Sequence, residues 1–150
     1  MDLSSITPDL FIGTTPVEQD YPRLRELGVR LVINMRLEHP PRPDLHPAPL
    51  KFLWLPTVDI PLLPIPIFLL KRGARAALDT IRSGGKVYAH CAGGRHRGVA
   101  MGAAVLIAQD YSPQEAMALI KARRPLADPD IFYIRSRILR FARLWQVGRN

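Results

Sequence analysis

The stretch from Lys86 to Ala108 constrains the fold of this chain more than any other part of its 150 residues. A short apolar strand, Lys86–His90, runs directly into the sequence Cys-Ala-Gly-Gly-Arg-His-Arg, and a helix that is apolar on every side follows over Val99–Ala108. A helix without a polar face must be buried all round. A strand that leads through a tight loop into such a helix favours an α/β fold.

Strands and helices alternate along the rest of the chain. Strands are predicted near Leu10–Gly13, Arg30–Met35 and Lys51–Val58, and helices near Val17–Leu27, Ile67–Arg82, Ser112–Arg123 and from Asp130 onward. This alternation predicts an α/β fold with a central, mostly parallel sheet of four to five strands, flanked by helices on both faces. The length and the 47% hydrophobic content predict a single domain over residues 1–150.

Charge and cysteine content narrow the range of functions. The 21 basic and 13 acidic residues give a net charge of +8, which favours anionic partners: phosphorylated molecules, nucleic acid or an acidic membrane. The single cysteine, Cys91, excludes an internal disulfide and suits a reducing compartment. The N-terminus does not resemble a secretory signal, and three prolines interrupt the longest apolar run, Ile60–Leu70. We therefore expect a cytoplasmic, monomeric protein without a membrane span.

The loop that begins at Cys91 has the features of an anion site. Its backbone amides surround a small concavity at a helix N-terminus, an arrangement that binds tetrahedral anions. The same positive field favours the thiolate of Cys91, which is the nucleophile that attack on phosphorus needs. Arg97 can bind two phosphate oxygens at once, and Gly94 permits the turn. The predicted phosphate-binding residues are Ala92, Gly93, Gly94, Arg95, His96 and Arg97.

The pattern from His90 to Arg97, in which five residues separate the cysteine from the arginine, resembles the signature of the protein tyrosine phosphatase superfamily. It looks most like the small, atypical dual-specificity branch. Ile6–Gly13, Leu27–Asn34 and the Arg124–Pro125 region are similar to runs in that branch, so the resemblance covers nearly the whole chain. It implies hydrolysis of phosphotyrosine, phosphoserine or phosphothreonine through a phosphocysteine intermediate. No metal or other cofactor is implied, and His90 has a supporting role.

The chemistry also needs a group that protonates the leaving oxygen as its bond to phosphorus breaks. The resemblance implies that this general acid is Asp59, because it follows a strand within a Pro-rich loop, where the dual-specificity branch carries its acid. Asp128 is the rival, since its Asp-Pro dipeptide is similar to the late acid of the low-molecular-weight phosphatases. In those proteins the cysteine lies near the N-terminus, and the position of Cys91 argues against that assignment.

Gly98 departs from the superfamily pattern. The superfamily usually has Ser or Thr after the arginine, and this hydroxyl helps to stabilise the thiolate as it leaves the phosphoenzyme. Its replacement by glycine implies slow breakdown of phosphocysteine. It also leaves open a pseudophosphatase that binds phosphorylated ligands without turning them over.

The basic residues of the loop leave the substrate open. Arg95 and His96 suit a substrate with more than one phosphate, so phosphoinositides and RNA 5′-phosphates remain alternatives to a phosphoprotein. The spacing of His90, Cys91 and His96 matches none of the usual zinc sites, so no metal is expected. The Pro-rich loop Glu38–Leu50, which includes His39 and His46, is expected to border the pocket.

Overall fold

A computed structural model of the chain describes residues 1–42 and 47–148. Five strands form one sheet: β1 (Leu3–Thr7), β2 (Leu10–Thr14), β3 (Val29–Arg36), β4 (Lys51–Thr57) and β5 (Lys86–Cys91). Their order across the sheet is β1-β2-β5-β3-β4, and every neighbouring pair is parallel except β1 with β2. The predicted α/β fold with a mostly parallel sheet is confirmed. The pattern had not indicated β1, because Ile6 alone is buried in that edge strand.

Helices cover both faces of the sheet, as predicted. They are α1 (Tyr21–Glu26), α2 (Ile67–Arg82), α3 (Arg97–Ala108), α4 (Pro113–Arg123) and α5 (Phe132–Gly148). Helices α2 and α3 lie on one face, with α4 and α5 packed against α3. On the other face, Leu24 of α1 packs with Phe11 and Val32. The first helix is shorter than predicted: Glu18–Asp20 form a 3-10 turn, and Pro22 occupies the first turn of α1, where its missing N–H costs no hydrogen bond.

Helix α3 fixes the position of the loop that precedes it. All of its residues are buried, which confirms the prediction of a helix without a polar face. The helix lies so close to β2 that a Cβ at Gly102 would stand 2.2 Å from Ile12 Cδ1. With β5 and α3 both locked into the core, the loop between them has little freedom to move.

Candidate active site

The candidate active site lies where three adjacent parallel strands end. Strand β5 ends at Cys91, β3 at Arg36 and β4 at Thr57. Ligands of open α/β sheets bind beyond such carboxyl ends. The topology therefore brings together the Cys91 loop and the residues that follow β3 and β4, among them Glu38 and Asp59.

The loop holds Cys91 at one end and Arg97 at the other. Cys91 is 3% exposed, and its carbonyl oxygen accepts a hydrogen bond of 3.0 Å from Thr15 Oγ1. Gly94 turns the loop with a φ of 63°, in the left-handed region that favours glycine. A Cβ at this position would also lie 2.6 Å from the guanidinium of Arg124. Both the backbone conformation and the available space therefore require glycine at position 94.

The guanidinium of Arg97 is anchored to the ends of β3 and β4. Arg97 is 4% exposed, and its Nη1 donates to the Thr57 carbonyl at 2.8 Å and to the Met35 carbonyl at 3.4 Å. The same Nη1 donates to the Glu38 carboxylate at 2.9 and 3.2 Å. Nε is buried and has no hydrogen-bond partner among the described residues. The anchoring bonds thus leave Nε available to an incoming acceptor.

Glu38 is a site residue that the sequence did not identify. Burial works to raise the pKa of its carboxyl, but hydrogen bonds and charges from Arg97 and Arg36 outweigh burial and lower it. Glu38 is therefore ionised at neutral pH and balances the charge of Arg97. It follows β3 as Asp59 follows β4, and this position beyond a strand end was the available signal. The Pro-rich composition of the loop had indicated only a border of the pocket.

Arg124 supports the loop from the end of α4. It is 1% exposed; its Nε donates to the Gly94 carbonyl at 2.7 Å and its Nη2 to the Gly93 carbonyl at 3.3 Å. The guanidinium also forms an ion pair of 3.2 Å with Asp2 and donates to Ser4 Oγ at 3.0 Å. One buried side chain thereby ties the loop to the N-terminal edge of the sheet. The sequence pointed to the Arg124–Pro125 region but to no role for this side chain.

Replacing Arg124 with methionine is expected to lower the free energy of unfolding by about 2 to 3 kcal/mol, because two loop carbonyls and Ser4 lose their donor. Urea denaturation measures this change. The matched control is Arg123→Met at the exposed neighbouring position, which should alter stability by no more than about 0.5 kcal/mol. Equal stabilities for the two variants would show that Arg124 does not support the loop.

Asp59 forms a hydrogen-bonded cluster with His96 and Tyr133. Its Oδ2 lies 2.9 Å from His96 Nδ1, and its Oδ1 accepts a bond of 2.7 Å from the Tyr133 hydroxyl. On the other side of the imidazole, His96 Nε2 lies 3.9 Å from Asp128 Oδ2. Both candidate acids therefore stand beside one histidine. The side chain of His96 contacts these carboxylates, whereas Arg95, the other extra basic residue of the loop, is exposed.

The partners of Asp59 keep it ionised. Burial works to raise the pKa of Asp59, but the hydrogen bonds from Tyr133 and His96 and the charges of His96 and Arg97 outweigh burial and lower it. Burial and the adjacent carboxylate raise the pKa of Tyr133 to about 12, so its hydroxyl remains a donor at neutral pH. Asp59 must gain a proton before it can act as an acid, which favours mildly acidic conditions.

His90 lies beneath the loop as a neutral side chain. Burial, with smaller contributions from the charges of His39 and Arg36, lowers the pKa of His90 to about 3. Its ring stacks on that of Tyr88 with centroids 5.7 Å apart. A neutral imidazole brings no charge to the neighbouring Cys91, so its contribution there is made through packing and hydrogen bonding.

A cavity of about 240 Å³ reaches His90, the residue before the loop, but none of residues 91–97 lines it. Its other walls include Thr15, Trp54 and residues 39–42 of the Pro-rich loop, so that loop borders this cavity, and its border with the pocket of Cys91 stays a prediction. The carbonyl of His39 accepts a bond of 2.8 Å from Asn34 Nδ2. His46, which was expected to border the pocket as well, lies outside the described residues. Within residues 1–42 and 47–148, no cluster of His, Cys, Asp and Glu side chains could hold a metal ion.

Comparisons with known proteins agree with this fold, although no family model matches the chain. Human dual specificity phosphatase 28 is 29% identical over 131 residues, which span 85% of this chain and 71% of that protein. Its crystal structure superposes with a TM-score of 0.84 at 24% identity and covers 96% of this chain and 95% of its own. The crystal structure of PTPMT1 in complex with PI(5)P has a TM-score of 0.85 at 25% identity and covers 97% of each chain.

These relatives share the order of strands and helices that positions the Cys91 loop, and the likeness extends over nearly the full chain. The predicted resemblance to the dual-specificity phosphatases is therefore confirmed in sequence and in fold. In sequence and in fold, the chain is similar to atypical dual-specificity phosphatases of the protein tyrosine phosphatase superfamily.

Proposed function

We propose that this protein is a cysteine-dependent phosphatase that hydrolyses phosphotyrosine, phosphoserine and phosphothreonine through a phosphocysteine intermediate. The observation that carries the proposal is the anchoring of Arg97. Its guanidinium is bound by Glu38 and by the Thr57 carbonyl, at the far end of the loop from a buried cysteine, and its Nε has no partner among the described residues. This is the arrangement expected of a residue that binds a phosphoryl group.

In the first step, the thiolate of Cys91 attacks phosphorus. A sulfur–phosphorus bond forms while the bond to the leaving oxygen breaks, and protonated Asp59 gives its proton to that oxygen. The loop amides and Arg97 stabilise the charge that spreads over the remaining phosphoryl oxygens. The products of this step are the free alcohol or phenol and phosphocysteine.

In the second step, water hydrolyses phosphocysteine. The Asp59 carboxylate takes a proton from the attacking water, an oxygen–phosphorus bond forms, and the thiolate of Cys91 leaves. Inorganic phosphate is released and Asp59 is protonated again, so the cycle closes without an external reductant or cofactor. The low pKa of Asp59 suits the ionised form that begins this step.

Asp59 is favoured over Asp128 as the acid because it forms more hydrogen bonds with other residues of the site. Asp59 bonds both His96 and Tyr133, and the charge of Arg97 contributes to its lowered pKa. Asp128 approaches the cluster only through a contact of 3.9 Å to His96. Of the two carboxylates, Asp59 is therefore the one tied to the arginine that would hold the phosphoryl group.

Acid quenching tests the proposed intermediate. The protein is mixed with p-nitrophenyl phosphate in reductant at mildly acidic pH, quenched with acid, and analysed by intact-mass and peptide mass spectrometry. One phosphoryl group attached to the peptide that contains Cys91, together with release of p-nitrophenol, supports the mechanism. Binding of phosphate without p-nitrophenol release would instead identify a pseudophosphatase.

Replacing Tyr133 with phenylalanine is expected to move the descending limb of the pH profile of kcat/KM toward higher pH. The lost hydrogen bond favours the Asp59 carboxylate, so its removal raises the pKa of Asp59 and keeps the acid protonated to a higher pH. Tyr111→Phe, a change beyond the opposite end of α3, is the matched control and should leave the limb in place. If the Tyr133→Phe limb coincides with that of the wild type, Asp59 is not the acid that the profile reports.

Gly98→Ser is expected to speed the breakdown of phosphocysteine roughly tenfold, because a hydroxyl there can donate to the departing thiolate. A Cβ at this position would lie 3.3 Å from the Cys91 nitrogen, which is close to the nucleophile but tight. Rapid-quench kinetics should show a smaller burst and faster steady-state turnover. Gly98→Ala has the same steric cost without the hydroxyl, and an equal acceleration in this control would contradict the explanation.

A phosphoinositide is the alternative substrate, and two observations favour it. The structure of PTPMT1 with PI(5)P resembles this chain over 97% of its length, and the side chain of Arg95 is exposed beside the loop. A panel of phosphopeptides, soluble phosphoinositides and 5′-phosphorylated RNA, compared by kcat/KM, identifies the class. The cytoplasmic location and the monomeric state stay predictions.

A further inference from the structure

The segment that follows Asp59 carries exposed apolar side chains. Ile60 is 44% exposed, Leu62 88% and Leu63 57%. A hydrogen bond of 3.3 Å from the Leu63 N–H to the Ile60 carbonyl closes this segment into a turn, so the side chains project from one short protrusion. Water contact with so much apolar surface is unfavourable, and such a patch marks an interaction surface.

Two more exposed apolar side chains, both phenylalanines, stand at the starts of α2 and α5. Phe132 is 70% exposed at the first position of α5, and its ring meets that of Tyr133 edge to face, with centroids 5.5 Å apart. The Tyr133 hydroxyl donates to Asp59, the residue before the turn, so Phe132 stands next to a residue that contacts Asp59. Phe68, in the first turn of α2, is 68% exposed. We call these five side chains the apolar rim: Ile60, Leu62, Leu63, Phe68 and Phe132.

Basic residues continue the surface along α2. Phe68, Arg72 and Arg75 are spaced by four and three residues, which places them on one face of the helix, and all three are exposed. Lys71 lies next to Arg72, and no acidic residue occurs from Ile60 to Leu78. Exposed leucine and phenylalanine followed by arginine, without opposing carboxylates, are typical of segments that rest on an anionic bilayer.

The shape of the rim favours a bilayer over a protein partner. Protein interfaces concentrate their binding energy in well-packed pockets that receive a side chain. Here the leucines protrude, and Leu62 keeps 88% of its surface in solvent. Protruding apolar side chains can enter the boundary between headgroups and acyl chains, while the neighbouring arginines remain among the lipid phosphates.

We propose that the apolar rim, with Arg72 and Arg75, docks this protein onto the surface of an anionic phospholipid bilayer. Docking places the Asp59 segment at the headgroup level, so that the phosphate presented to the Cys91 loop is one carried by a lipid headgroup. This lipid substrate rests on the phosphoinositide alternative of the function proposed above, whereas docking itself needs no turnover. No helix within the described residues is long and apolar enough to cross a membrane, so the attachment proposed is peripheral.

Vesicle sedimentation tests the docking. The full chain is mixed with vesicles of phosphatidylcholine alone or of phosphatidylcholine with phosphatidylserine, and the bound fraction is measured at increasing salt. Selective binding to the anionic vesicles is expected. The double variant Leu62→Gln, Leu63→Gln should bind about tenfold more weakly, because two apolar side chains no longer enter the bilayer. Arg72→Gln and Arg75→Gln should each weaken binding about fivefold and reduce its salt dependence.

Val147→Gln is the matched control. Val147 is 71% exposed near the other end of α5, about 22 Å along the helix from Phe132. This variant should bind vesicles like the wild type, and circular dichroism with thermal melting verifies that all the variants fold. Equal binding by the double leucine variant and the wild type would overturn the proposal. Wild-type protein that ignores anionic vesicles at physiological salt would overturn it as well.

The docking and the proposed function can fail separately. Cys91→Ser should bind vesicles like the wild type, because docking needs no nucleophile. Wild-type protein that binds vesicles but turns over no substrate would refute the function and leave the docking intact. Turnover of p-nitrophenyl phosphate without vesicle binding would do the reverse. If vesicles are not bound and the double leucine variant loses kcat/KM on phosphopeptides alone, the rim receives a protein substrate and the bilayer is excluded.

Discussion

Hydrolysis of p-nitrophenyl phosphate is expected to fall by a factor of about 10⁴ or more when Cys91 is replaced by serine. The change exchanges sulfur for oxygen in a side chain that is 3% exposed, so the loop and its hydrogen bonds are kept. A serine hydroxyl is not ionised at neutral pH, and the positive potential of the loop is too weak to convert it to an alkoxide that could replace the thiolate. The nucleophile is therefore lost while the anion site remains.

Two measurements separate loss of the nucleophile from loss of the fold. Steady-state assays with p-nitrophenyl phosphate follow turnover, and thermal shifts with added inorganic phosphate follow anion binding. Cys91→Ser should keep the phosphate-dependent shift, because the loop amides and Arg97 that would bind the anion are unchanged. Substantial turnover in this variant would show that another group attacks phosphorus, and the proposed mechanism would be wrong.

Replacing Arg97 with lysine is expected to lower kcat/KM by about 10³-fold. The planar guanidinium binds the strand ends through one nitrogen and is proposed to bind the phosphoryl group through another. Nη1 is bound by Glu38 and by the Thr57 carbonyl, which leaves Nε for the phosphoryl group. A lysine ammonium keeps the charge beside Glu38 but is too compact to bind the strand ends and the substrate together. The loss should appear in kcat and in KM, because both the bound phosphate and the transition state lose contacts.

The matched control for this change is Arg140→Lys, at an exposed position of α5. It makes the same substitution away from the strand ends and should leave kcat/KM within about twofold of the wild-type value. Glu38→Gln probes the other half of the pair: it keeps an acceptor for Nη1 but removes the charge that balances Arg97. If Arg97→Lys retains wild-type kcat/KM, the anchoring described for Arg97 has no part in catalysis.

Local patterns in the sequence predicted several elements closely. Helix α2 begins at Ile67 and ends at Arg82, as its apolar periodicity indicated. The capping box at the start of α4 is present, with Ser112 Oγ accepting from the Glu115 N–H and the Glu115 carboxylate accepting from the Ser112 N–H. Such features depend on residues three or four positions apart, so their geometry follows from neighbouring residues alone.

Long-range partners were harder to predict. Glu38 is 59 residues from Arg97 in sequence, and the two meet because β3 and β5 are adjacent and parallel. Arg124 reaches the Gly94 carbonyl from the end of α4, 30 residues away. Neither contact leaves a periodic trace in the sequence, because it depends on the order of the strands and on the packing of α4 beside β1.

His96 also shows the difference between what local sequence predicts and what long-range contacts decide. The sequence placed His96 among the phosphate-binding residues because of its position between Cys91 and Arg97. In the folded chain its imidazole lies against Asp59 and Tyr133, which come from the end of β4 and the start of α5. Its backbone remains part of the predicted anion loop, while its side chain acts on the candidate acid.

The strand, the glycine-containing loop and the buried helix between Lys86 and Ala108 were determined by the sequence alone. Their assignment as strand, loop and helix follows from the local pattern of apolar residues and glycines, and the same segment contains both Cys91 and Arg97. Only the tertiary structure decided which groups hold these two residues in place. The ends of β3 and β4 and the side chains of Glu38 and Arg124 are distant in sequence, and the parallel sheet and its helices bring them to one edge.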